Sequence, residues 1–178
     1  LFGVDLAEVS GFSVCYLDQF ADVLKPFVPD MPLLIKDSAG GALNPKNHAL
    51  YCTPRAGAQT LAHIMDPVVE SDFEGGRYVY HDHAPPGYWT DRPAIVRHPF
   101  GAGEVIYLPV PFFKGYASKA SPFLRELFRA LLEEVLGVSA QVRITAPVSI
   151  KSALMADEEG WLLHLIHVQK QTDAMYLD

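Results

Sequence analysis

The side chains best equipped for chemistry gather between residues 66 and 91. His81, Asp82 and His83 are consecutive, and two imidazoles with a carboxylate form part of the ligand set of zinc and iron sites. A metal needs three or four converging ligands, and no second cluster of matching type accompanies this trio. It reads as a hydrogen-bonded loop, and neither a metal nor another cofactor is expected. Four aromatics, Tyr78, Tyr80, Tyr88 and Trp89, flank the histidines. Flat apolar rings among polar groups suit contact with a substrate or a partner, so His81, His83, Tyr88 and Trp89 are the substrate-loop candidates.

Other constellations carry less. Asp66, Glu70, Asp72 and Glu74 offer carboxylates, and glycoside hydrolysis uses two of them held a fixed distance apart across a sugar. Nothing in their spacing sets any two opposite each other, and they read as solvated loop charge. Cys52 and His63 are the types of a nucleophile and its base. A catalytic thiol wants an exposed, electropositive turn, and neither Val14-Cys15-Tyr16 nor Tyr51-Cys52-Thr53 has the glycines of such an elbow. His164 and His167, three apart on an expected strand, point to opposite faces and cannot share one ion. Gly101-Ala102-Gly103 precedes strand residues rather than a helix, so it is no phosphate loop. No catalytic residue is assigned.

Several elements must position these groups. Apolar, β-prone runs predict strands over 12–17, 31–35, 49–53 and 59–65, with Asp66-Pro67 stopping the last. Residues 1–4 read as the tail of an element whose beginning lies elsewhere, since Gly after an apolar pair is what a helix end often shows. Residues 68–91, with Gly75-Gly76 and Pro85-Pro86-Gly87, read as an ordered functional loop. Residues 93–109 form two β-rich runs joined at Gly101 and Gly103, a hairpin signature. Ser121-Pro122 then opens a helix whose apolar residues recur from Phe123 to Leu136 at helical spacing, and Gly137 closes it. Beyond it the period becomes two, through Val142, Ile144, residues 148–154 and 161–168, predicting antiparallel β. These elements predict an α/β fold over residues 1–138 and an antiparallel β segment over 139–178 that opens a small β-domain.

Composition narrows the function. Of 178 residues, 49% are hydrophobic and 20% charged, the balance of a chain that buries a core. The formal net charge of −7 is spread without a Lys/Arg run, which excludes the footprint of a nucleic-acid binder. Apolar stretches fall far short of the ~20 residues of a membrane helix. Cys15 and Cys52 are too few for a disulfide framework. No signal-peptide pattern opens the chain, so a cytoplasmic location is expected.

One order of residues resembles a known family. The opening Leu-Phe-Gly-Val, the Pro-Ala-Ile-Val strand from Pro93, the turn at Gly101 and Gly103, Val-Ile-Tyr-Leu-Pro to Pro109, the amphipathic helix and Leu-Leu-His-Leu-Ile-His to His167 are similar to the middle domain of family 42 β-galactosidases and related glycoside hydrolases. The resemblance implies a Rossmann-like, class I glutamine-amidotransferase-like sheet with flanking helices that mediates trimerisation. It places the catalytic glutamates on an upstream (β/α)8 barrel outside this chain. The family of true amidotransferases carries a Gly-x-Cys-x-Gly elbow and a His-x-Glu pair; this sequence has neither, so amidotransfer is not implied. The expected function is a noncatalytic oligomerisation or scaffolding domain whose aromatic loop, His81 to Trp89, reaches a neighbouring subunit's sugar cleft. Two alternatives stand beside it: a small stand-alone hydrolase or amidotransferase-like enzyme using Cys52 or the His81/His83 loop, and a carbohydrate-binding module built on the loop aromatics.

Overall fold

The computed structural model describes residues 1–10, 14–35, 49–68, 85–119, 121–147 and 149–168. His81 and His83, with Tyr78, Tyr80, Glu70, Asp72 and Glu74, lie outside the described residues.

The chain opens as a strand, β1 (Val4–Val9), and not as the end of a helix. Gly3 makes the turn into it with φ +69°, and a Cβ there would meet the His98 ring at 2.4 Å, so both the backbone angle and the close approach require glycine. Next come β2 (Cys15–Asp18), a single 3₁₀ turn (Lys25–Phe27) and β3 (Leu33–Ile35). β4 (Leu50–Pro54) and β5 (Gln59–Pro67) follow. β6 (Pro86–Phe100) turns into β7 (Gly103–Tyr107) through the expected hairpin, with Gly101 at φ +61°. Two helices come next, α1 (Phe112–Lys119) and α2 (Pro122–Ala130), the latter continued by π-helical turns over Leu131–Val135. The last pair is β8 (Ile150–Ala156) and β9 (Trp161–His167).

The described strands form three sheets: β1-β4, β3-β2-β5-β6-β7 and β8-β9. Every pairing is antiparallel. This overturns the Rossmann-like, amidotransferase-like α/β expectation. A parallel sheet needs a crossover of a dozen or more residues between neighbouring strands, usually a helix. Here both helices follow β7 together, so among the described residues no helix carries the chain between strands of the central sheet. The apolar period of α2 carries no signal for a Rossmann-like topology, since a helix with one apolar face packs equally well on an antiparallel sheet.

The core lies between one face of the five-stranded sheet and α2. Leu17, Ile35, Leu61, Ile64 and Ile95 from the sheet meet Leu124, Leu127, Ala130 and Leu131 from the helical segment, all of them fully buried. Pro122 fits the first turn of α2, while the Ser121 side chain makes no capping bond. Gly137, at φ +66°, ends the segment as expected, and the Val138 N–H reaches back to the Leu132 carbonyl at 2.8 Å. Val142 and Ile144, expected to lie on a strand, fall in a stretch without regular structure.

Among the described residues β8 and β9 pair only with each other. Asp157 shapes their turn by accepting from the Glu159 and Gly160 backbone N–H groups at 2.8 and 2.9 Å. No helix among the described residues is long and apolar enough to cross a membrane.

Candidate functional site

The most elaborate polar arrangement lies where the β1-β4 pair meets the end of the central sheet. Asp66 was expected to be a solvated loop charge. Instead β5 continues through Asp66 and Pro67, and Asp66 is buried, sharing the core face with Ile64 two residues earlier. Its carboxylate accepts the Tyr51 hydroxyl proton at 2.8 Å, and Tyr51 in turn accepts from the buried Ser10 hydroxyl at 3.0 Å. Arg92 Nη1 approaches the other Asp66 oxygen at 3.3 Å.

Arg92 reaches this point because the strand is bulged. His63 pairs with Pro93 and Met65 with Trp89, so Thr90, Asp91 and Arg92 all lie opposite the single residue Ile64. Extra residues bend a strand and re-aim its side chains. Thr90 secures the bulge: its hydroxyl donates to the Ile64 carbonyl at 2.6 Å and accepts from the Arg92 backbone N–H at 3.2 Å. The Arg92 guanidinium lies 3.5 Å above the Tyr51 ring centroid and 3.6 Å from Glu8, which stands directly across from Tyr51 in the β1-β4 pairing.

Burial disfavours charge here. It raises the Asp66 carboxyl above its ordinary value, against the opposing pull of the Tyr51 hydrogen bond and the Arg92 charge. Burial also pushes the Tyr51 hydroxyl up to about 12.

Of the expected substrate-loop residues, Tyr88 and Trp89 can be placed. Both sit on the first half of β6, within the stretch expected to be loop, and both are exposed. Tyr88 pairs with Asp66 and Trp89 with Met65. Paired residues share a face and successive residues alternate, so Tyr88 borders the Asp66 cluster while Trp89 stands over the opposite face, beside Met65 and Tyr16. The two rings therefore cannot form one stacking platform.

The thiols are poorly placed for nucleophilic work. Cys52 is buried with Val4 and Val96, and Cys15 in the main core; burial raises both, Cys15 to about 12. His63 Nδ1 is buried without a hydrogen-bond partner. Among the described residues no three His, Cys, Asp or Glu side chains converge to hold a metal.

A second exposed feature is hydrophobic. In the β8-β9 pair Trp161 is 68% exposed, and Leu162, Leu163, Leu165 and Ile166 are exposed as well. Alternation sends Trp161, Leu163 and Leu165 to one face and Leu162 and Ile166 to the other, so both faces are apolar. His164 and His167 fall on opposite faces, as their spacing requires.

No protein-family model, curated protein or solved structure matches this chain.

Proposed function

We propose that this chain is a noncatalytic assembly module of a larger carbohydrate-active protein, and that copies of it associate through the β8-β9 hairpin. The observation that carries this is the hairpin's two apolar faces. A strand apolar on both sides has the pattern of one buried on both sides, and a lone two-stranded hairpin is marginal in water until further strands or a packed layer cover it. The exposed Met155, Trp161, Leu162, Leu163, Leu165 and Ile166 offer several hundred Å² of apolar surface, on the scale of the ~800 Å² that each partner commits to a standard interface. A second copy supplies the same hairpin, and one apolar face of each hairpin packs on the other apolar face of the next, a head-to-tail contact that closes into a ring.

The carbohydrate part of the reading rests on the order of strand, hairpin, helix and final strand that resembles the β-galactosidase middle domain. The amidotransferase-like shape is no part of it. In this reading the reacting carboxylates belong to a (β/α)8 barrel outside the chain, and the oligomer is a trimer. A thiol hydrolase gains nothing from Cys52, which is buried with Val4 and Val96 and packed against Tyr107.

Light scattering on the chain, with aryl-glycoside hydrolysis assayed on the same sample, tests the proposal. The expected result is a discrete oligomer without hydrolysis, which falls to monomer when Leu163→Ser and Leu165→Ser are combined. A monomer at every concentration, or turnover by the chain alone, overturns it.

A further inference from the structure

The cluster at the end of β5 holds more chemistry than joining two sheets requires. Ser10, Tyr51 and Asp66 already form a relay of hydrogen bonds from the end of β1 through β4 to β5. Arg92, Glu8 and Tyr88 add a guanidinium, a second carboxylate and an aromatic ring, and all three reach the surface: the Arg92 and Glu8 side chains are 38% and 64% exposed and Tyr88 is 61% exposed. A strand bulge fastened by Thr90 directs Arg92 there, and bulges of this kind are common beside binding sites.

We infer that Arg92, Glu8 and Tyr88 form a subsite for a pyranose ring, with Tyr88 stacking on the sugar's C–H face while Arg92 and Glu8 hydrogen-bond neighbouring hydroxyls. The inference rests on the carbohydrate part of the proposed function and not on assembly. A guanidinium has five N–H donors in a rigid fork and a carboxylate offers acceptors only, which together match the paired donor and acceptor character of vicinal hydroxyls. Arg92 is held in place on three sides, over the Tyr51 ring, against Asp66 and near Glu8, so a ligand meets a preorganised donor. With two carboxylates to one guanidinium the cluster carries a formal charge of about −1 when both acids are ionised, which selects a neutral polyol over a phosphate or carboxylate ligand.

The test is an NMR titration of the labelled chain with methyl β-D-galactopyranoside and methyl β-D-glucopyranoside, with inorganic phosphate as the anionic control. The expected result is a saturable, millimolar shift of the Arg92 Nε–H and the Tyr88 amide by at least one glycoside and none by phosphate. Tyr88→Ala and Glu8→Gln, both at exposed positions, each weaken binding by roughly fivefold, as the loss of one stacking or hydrogen-bonding contact predicts. No saturable shift with either glycoside, an equal response to phosphate, or unchanged affinity in both variants overturns the subsite. Light scattering on the same samples separates the two ideas. An intact oligomer that ignores both sugars sinks the subsite alone, and a monomer that binds sugar sinks assembly alone.

Discussion

The five-stranded sheet and the β8-β9 hairpin are built from similar residues and end in opposite states. In the sheet, Leu17, Leu61, Ile64 and Ile95 are buried to 1% exposure or less, because α2 lays Leu124 and Leu127 across them. In the hairpin, Leu162, Leu163, Leu165 and Ile166 are as apolar, yet between 41% and 58% exposed. An apolar run records a demand for cover. Whether the chain itself meets that demand depends on which layer folds back on it: α2 follows β7 after α1 and packs on the five-stranded sheet, whereas among the described residues β8 and β9 pair only with each other.

The largest effects should come from testing that contrast directly. Leu127→Ala, at a fully buried site, is expected to lower stability by about 2–5 kcal/mol in urea denaturation, the cost of lost transfer plus the cavity. Leu163→Ala in the dilute chain should stay within about 0.5 kcal/mol, as at other uncovered positions. If the two cost the same at low concentration, the hairpin is already buried and the comparison fails.

Of intermediate size is Tyr51→Phe. It removes one hydroxyl that serves both Ser10 and Asp66, and a buried polar group left without its partner costs about 1–3 kcal/mol. An unchanged urea midpoint would mean that the relay does not hold β4 to β5.

The smallest effect concerns pH. Burial raises the Asp66 carboxyl in the folded state above its ordinary value of 3.8, so the folded chain holds this proton more tightly than the unfolded chain does. The stability gained from this is fully present below the unfolded value and is lost as pH rises through the raised folded value. Relative to Asp66→Asn, the native chain should therefore become more stable as pH falls from 7 towards 4. Asp5, beside Arg55, and Asp22, beside Lys25, are shifted the other way, and subtracting the variant's curve cancels their share. A difference curve that runs in the opposite direction would mean that Arg92 and Tyr51 outweigh burial at Asp66.

How much was legible follows the range of the forces involved. The β6-β7 hairpin could be read from Gly101 and its flanking β-formers, and α2 from Pro122, the apolar spacing and Gly137, because turn chemistry and periodicity are local. β8 and β9 were visible for the same reason. α1 was missed: Phe112-Phe113-Lys114-Gly115 has a glycine in its first turns and no clear apolar period, and the helix is formed around Phe112, which is buried in the core. The first half of β6 reads as loop from Pro85, Pro86 and Gly87, which are breakers, yet Pro86 pairs with Pro67 at the sheet's end, where prolines are tolerated.

The candidate site was the least legible part. Glu8, Ser10, Tyr51, Asp66 and Arg92 span more than eighty positions, and each alone looks like an ordinary surface residue or an ordinary tyrosine. The one local sign was a carboxylate closing the apolar run Leu61 to Met65, and the Asp66-Pro67 pair disguised it as a turn.

The sequence by itself determined the strands and helix whose periods are written in neighbouring residues, the two turns that need glycine, and the apolar demand of residues 161–168. Only the tertiary structure decided that the sheets are antiparallel, that Asp66 is buried against Tyr51 and Arg92, and that Tyr88 and Trp89 look out from opposite faces. Strand pairing and bulge register join residues distant along the chain, and they are settled by the packing of whole layers rather than by any short segment's preference.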